Sequence, residues 1–132
     1  MRPSSAERAS SGSFELFAWL FMRISGVILL GMAVFHLFYM HFVFGVERMN
    51  FNTIGARWQN PLWRVFDFFL LAFALFHGFN GLRVVLDDYL SQRPGWRVLA
   101  KTLVFVLVVG LMSIGGYVIF TFPAAANLAA VP

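Results

Sequence analysis

Cysteine is absent from this chain of 132 residues. Without thiols it holds no disulfide, no thiolate-bound iron–sulfur cluster and no cysteine nucleophile. Charge is scarce as well. Asp, Glu, Lys and Arg make up 12% of residues, against about 25% in an ordinary soluble domain. The formal net charge of +4 is dispersed along the chain. That argues against nucleic acid and for anionic lipid headgroups or cofactor carboxylates as partners. Three histidines remain as the transition-metal ligands available.

What fills the chain is apolar. Hydrophobic residues account for 60%, with 17 phenylalanines, and the mean hydropathy is +0.76. A membrane protein follows from these values. About 20 residues cross a bilayer, and three runs are long enough, at about 14–44, 61–90 and 96–122. The polar N-terminal stretch 1–13 reads as a retained, mobile tail, because the apolar run behind it is too long for a signal-peptide core. Trp19 suits the headgroup level. Between the first two runs, residues 45–60 form a polar connection with aromatics, suited to the membrane surface. Asn60 followed by Pro61 predicts an N-cap and first helical position, and Arg93-Pro94-Gly95 stops the second helix. In the third run Gly110, Ser113, Gly115 and Gly116 let another helix approach closely. The expectation is an all-α, single-domain membrane protein with three transmembrane helices.

Arginine and lysine set the orientation. Arg2, Arg8, Arg93, Arg97 and Lys101 fall on one side, and Arg48, Arg57 and Arg64 on the other. This bias predicts a cytoplasmic N-terminus and an external C-terminus.

Polar groups inside such helices are costly and tend to be functional. His77 lies deep in the second helix, upstream of Asp87-Asp88-Tyr89. At 100° per residue Val84 and Asp88 lie within about 20° of its direction and Gly81 within about 40°, leaving room for a flat macrocycle. Haem ligation and a hydrogen bond to a neighbouring helix both remain open. His36, in the first helix, shares its face with Ser25 within about 20°, whereas His41 is about 140° away and nearer the interface. Counted from Phe17 and Tyr89 as cytoplasmic ends, His36 lies about 28 Å deep and His77 about 18 Å. One iron would not suit both, so if both bind haem each needs a histidine from another chain. Arg23 and Arg83, near the cytoplasmic ends, could meet propionates, Asp87 or Asp88, or lipid phosphate. Arg64 and Asp67 are spaced to pair with each other, with snorkelling the preferred alternative for Arg64.

The His77-Gly78 pair, the eight residues after it and the Asp87-Asp88-Tyr89 end resemble the small hydrophobic membrane anchor (the D subunit) of succinate dehydrogenase, complex II. The segment from Phe17 to Gly26, together with Phe51-Asn52 and Ala56-Arg57-Trp58, looks like the actinobacterial form, and the resemblance covers about residues 14–122. It implies pairing with a second three-helix anchor, the C subunit, into a haem-binding bundle that holds the iron–sulfur and flavoprotein subunits on the cytoplasmic face of a bacterial plasma membrane. It carries a haem ligand onto His77 and a quinone site onto Asp88 and Tyr89, and it implies menaquinone as the quinone. His36 departs from single-haem anchors and matches two-haem ones. Two b haems shared with the partner are therefore expected, with Arg23, Ser25 and Arg83 around haem propionates or quinone. An anchor of a quinol:fumarate reductase, or a structural three-helix protein with no cofactor, is the alternative.

Overall fold

The computed structural model describes residues 5–123, with side chains described at Ser13 and from Glu15 onward. Among the described residues every regular element is helical. Helix α1 spans Ser5–Phe38 and so begins well before Phe14. Ala6, Glu7, Arg8 and Ala9 are good or acceptable helix formers. Lengthening an existing helix gains a hydrogen bond per residue without a new nucleus. The stretch expected to be a tail is therefore helical from Ser5 on. Residues 1–4, and the Ala-rich end at 124–132, lie outside the described residues.

After Phe38 the helix widens into a π-type turn, Tyr39–Phe44. Gly45 then ends it at φ +82°, a backbone conformation that only glycine takes without strain. A short 3-10 turn, Val46–Arg48, leads to helix α2, Phe51–Arg57. The polar connection thus contains a helix, and its start is built locally. Asn50 Oδ1 accepts from Thr53 N at 3.0 Å, and Thr53 Oγ1 accepts from Asn50 N at 2.9 Å. That reciprocal pair is a capping box.

Helix α3 spans Pro61–Tyr89, with Asn60 accepting from Leu62 N at 2.9 Å and Pro61 in the first turn. Helix α4 spans Pro94–Thr121, starting at the proline. Three stretches, Glu15–Phe44, Pro61–Tyr89 and Pro94–Thr121, are long and apolar enough to cross a membrane. The protein is all-α and integral to a membrane.

Helix α3 is the middle of the arrangement. It packs antiparallel against α1 on one side and α4 on the other, while α1 and α4 have little contact with each other. On the α1 side, residue 18 lies by 80, 25 by 77 and 36 by 67. On the α4 side, 87 lies by 101, 79 by 105, and 64 by 119 and 120. Little of this is a water-style core. Met40, Trp58, Val108 and Ile119 are the buried hydrophobic side chains among the described residues. In lipid, helices gain little from burying apolar area and associate through close packing and hydrogen bonds. The α3–α4 seam shows this at Gly115, where an added Cβ would come within 2.5 Å of Leu71 Cδ2, and at Gly116, where Phe68 lies at 3.5 Å.

The ends of the α3–α4 hairpin are fixed by charge. Arg64 does not pair with Asp67. Its guanidinium donates to the carbonyls of Ile119 (3.0 Å), Phe120 (2.8 Å) and Phe122 (2.9 Å), and its Nε to Trp58 O at 2.6 Å. The last carbonyls of a helix lack intrahelical donors and no water reaches them in lipid, so a five-donor guanidinium suits that end better than one carboxylate. At the other end Asp87 takes Lys101 Nζ on both oxygens, at 2.5 and 2.6 Å, with Arg97 Nε at 3.8 Å.

Candidate functional site

The α1–α3 seam carries the polar groups. Ser25 is 1% exposed, and its Oγ lies 2.5 Å from Phe21 O and 3.0 Å from His77 Nδ1. A hydroxyl has one hydrogen, and the Phe21 carbonyl, which can only accept, takes it. At His77 the serine oxygen must therefore accept, so Nδ1 donates, and in the neutral ring Nε2 then keeps its lone pair. A neutral imidazole with a free Nε2 is the form that ligates metals. Gly26 makes room for the ring, since an added Cβ would sit 3.1 Å from His77 Cε1.

The next turn of α3 is filled by protein. An added Cβ at Gly81 would meet Met22 at 3.3 Å, so Gly81 accommodates α1 rather than leaving a slot for a macrocycle. Gly78 has nothing within 4 Å of such a Cβ. Asn80, to which no motif in the sequence points, reaches Ala18 O at 3.4 Å and borders two grooves. One, of about 350 Å³, is lined by Phe17, Ala18, Phe21, Phe76 and Phe79. The other, of about 190 Å³, is lined by Glu15, Trp19, Met22, Arg83 and Val84.

His36 belongs to a different cluster. Its Nδ1 lies 3.5 Å from Asp67 Oδ1, and its ring stacks on Phe66. Asp67 is 9% exposed. Its Oδ2 accepts from Arg57 Nη2 and, at 2.7 Å, from Trp58 Nε1. Helices α1, α2 and α3 therefore converge on one carboxylate. His41 is exposed, its ring edge against Phe42.

The two histidine levels can be compared along a single helix. Ser25 marks the level of His77 on α1, and His36 lies eleven residues further, about 16 Å by helical rise. Along α3, Asp67 and His77 are ten residues apart, about 15 Å. Both exceed the difference of about 10 Å counted from the helix ends. Phe17 and Tyr89 are not level, because Ala18 sits opposite Asn80.

The remaining residues lie toward the opposite end of α3 from Asp67. Arg23 is exposed, its guanidinium 4.3 Å over the Trp19 ring. Arg83 is half-buried beside the smaller groove. Asp87 is held by Lys101, whereas Asp88 is exposed and Tyr89 is 86% exposed, its phenol open to whatever borders this end.

Three lipid-length helices, with one histidine set against a polar side chain at each of two levels along the bundle, define a polytopic membrane protein. Among the described residues no three His, Asp or Glu side chains converge on a metal ion.

Residues 2–114 match the family described as succinate dehydrogenase/fumarate reductase transmembrane subunit, and the chain belongs to that family. Similar proteins include the succinate dehydrogenase 2 membrane subunit SdhC of Mycobacterium tuberculosis, 27% identical over 112 residues, covering 82% of this chain and 79% of that one. The succinate dehydrogenase hydrophobic membrane anchor subunit of Thermoplasma acidophilum is 27% identical, covering 78% and 83%. That of Rickettsia felis is 27% identical, covering 86% and 87%.

Proposed function

We propose that this chain is the membrane-anchor and electron-transfer subunit of a succinate:quinone oxidoreductase. It pairs with a second three-helix anchor and supports the iron–sulfur and flavoprotein subunits. It has no dicarboxylate or flavin chemistry of its own and contributes to the enzyme only in the complex. The Ser25–His77 contact carries the reading, because the serine's hydrogen is committed to Phe21 and the imidazole is left with a ligating Nε2.

His77 and His36 would each hold the iron of one b haem, together with a histidine of the partner anchor. Such a group supplies reversible one-electron storage in a low-dielectric setting. This chain's residues fix the imidazoles. Ser25 and Gly26 hold His77, and Asp67 faces His36. Arg83, half-buried near the same end as Asp88, would meet propionates, and Arg23 and Trp19 would meet headgroups. Asp88 and Tyr89, exposed at the end of α3, would line a quinone site shared with a partner, the phenol donating to a quinone carbonyl. Menaquinone is the proposed quinone. The arginine and lysine bias supports a cytoplasmic setting for this end, and a bacterial plasma membrane is the proposed location.

The family description covers fumarate reductase as well, and the same ligands would serve electron flow in that direction. A cofactor-free structural protein would use the Ser25–His77 bond simply to join two helices. Reduced-minus-oxidised absorption spectra of the purified complex separate these classes. Two b-type signals are expected, His77→Ala removing one and His36→Ala the other. A complex with no b-type signal sinks the haem reading.

A further inference from the structure

His36 Nδ1 and Asp67 Oδ1 are both buried without a hydrogen-bond partner, and they face each other at 3.5 Å. A buried polar atom left unpaired is costly, and here one orphan answers the other. Asp67 cannot turn away to find another donor. Its Oδ2 is held by Arg57 and by Trp58 Nε1 at 2.7 Å, and these come from α2 and the turn after it. Arg57 is 6% exposed, packed between Met40 Sδ at 3.4 Å and the Trp63 ring, with 5.4 Å to the ring centre. The carboxylate is clamped on one oxygen, and the other is aimed at the histidine.

We propose that Asp67, clamped by Arg57 and Trp58, is the positioning residue for His36, accepting from its Nδ1–H so that Nε2 is the ligating atom and a stronger electron donor. The proposal rests on His36 being a haem ligand. It adds that the short helix α2, remote in sequence from His77 and joined to neither histidine directly, sets the electronic character of one centre only. His77 has a neutral hydroxyl in the corresponding position, whereas His36 has a carboxylate. A carboxylate behind an imidazole raises its basicity, which favours the oxidised iron and lowers the potential. Arg57 tempers that effect by neutralising part of the charge.

The test is a redox titration of the purified complex, followed by visible spectra, in wild type, His36→Ala, Asp67→Asn and Arg57→Gln. Asp67→Asn keeps the shape and removes the charge. The midpoint of the centre that His36→Ala abolishes should move upward, or that centre alone should be lost, with the His77 centre unmoved. Arg57→Gln leaves the carboxylate less neutralised and should move the same midpoint downward; it decides the matter where Asp67→Asn prevents assembly. If His36→Ala removes one centre but neither variant alters its potential or band, the positioning role is overturned while the ligand reading survives. If His36→Ala removes no haem, the ligand reading fails and this proposal with it.

Discussion

Along its α1 side, α3 meets its neighbour through Ser25, Gly26, Ala18 and His36. Along its α4 side it sets Leu71 and Phe68 against Gly115 and Gly116 and is bracketed by Arg64 and Asp87. The first seam has polar groups along its length, and two buried atoms there, His36 Nδ1 and Asp67 Oδ1, face each other with no hydrogen-bond partner. The second keeps its middle apolar and its charges at the ends. In lipid, hydrogen bonds and close packing both join helices, so either seam could have been built either way. The difference separates tasks: α3–α4 is a stable hairpin, and α1 closes on it to orient histidines.

Removing Arg64 should do the most damage. Arg64→Ala withdraws donors from two α4 carbonyls, from that of Phe122 just beyond it and from Trp58 O. Hydrogen bonds to charged groups contribute about 1.5–3 kcal/mol each. Losing the set should cost at least about 3 kcal/mol, read as a lowered unfolding midpoint in detergent. Loss of stability no greater than that of a surface substitution would show that the hairpin is not closed there. Gly115→Val comes next. Overpacking against Leu71 should cost about 1–3 kcal/mol, with b-type spectra unchanged in the folded fraction. A spectral change would mean that the two seams are not separate. The smallest effect on stability belongs to Ser25→Ala, about 1 kcal/mol. If His77 is a haem ligand as proposed, haem retention at its level should nonetheless fall roughly 10–100-fold, the loss typical when a partner of a metal-bound histidine is removed. Retention equal to wild type in a haem-release assay would leave Ser25 no role beyond joining helices.

How far the chain is legible without its structure depends on how local each feature is. Three apolar runs announce three helices, and Asn60-Pro61 announces the start of α3, since capping is decided within a few residues. The stripe shared by Ser25 and His36 is likewise legible as a face of α1. Its partners are not. Ser25 meets His77, 52 positions away, and only the antiparallel register of two helices brings them together. Helix α2 is hidden although Asn50 and Thr53 spell its capping box, because the segment is short and its polar residues read as a surface loop. Arg64 and Asp67 show the limit of spacing arguments. Their separation permits a helical pair worth about 0.2–0.5 kcal/mol, but each finds better partners off its own helix. Asp87, which the sequence offers to Arg23 or Arg83, pairs in the fold with Lys101 of α4.

The Arg64 contact has a further implication for how the chain enters a bilayer. A guanidinium on the second crossing segment has three of its four acceptors at the end of the third. Until that end arrives, the cation keeps only Trp58 O, and the last carbonyls of α4 lack their side-chain donor. Neither segment is chemically complete by itself. The pair should therefore leave the insertion machinery as one unit, with α1 free to join afterwards.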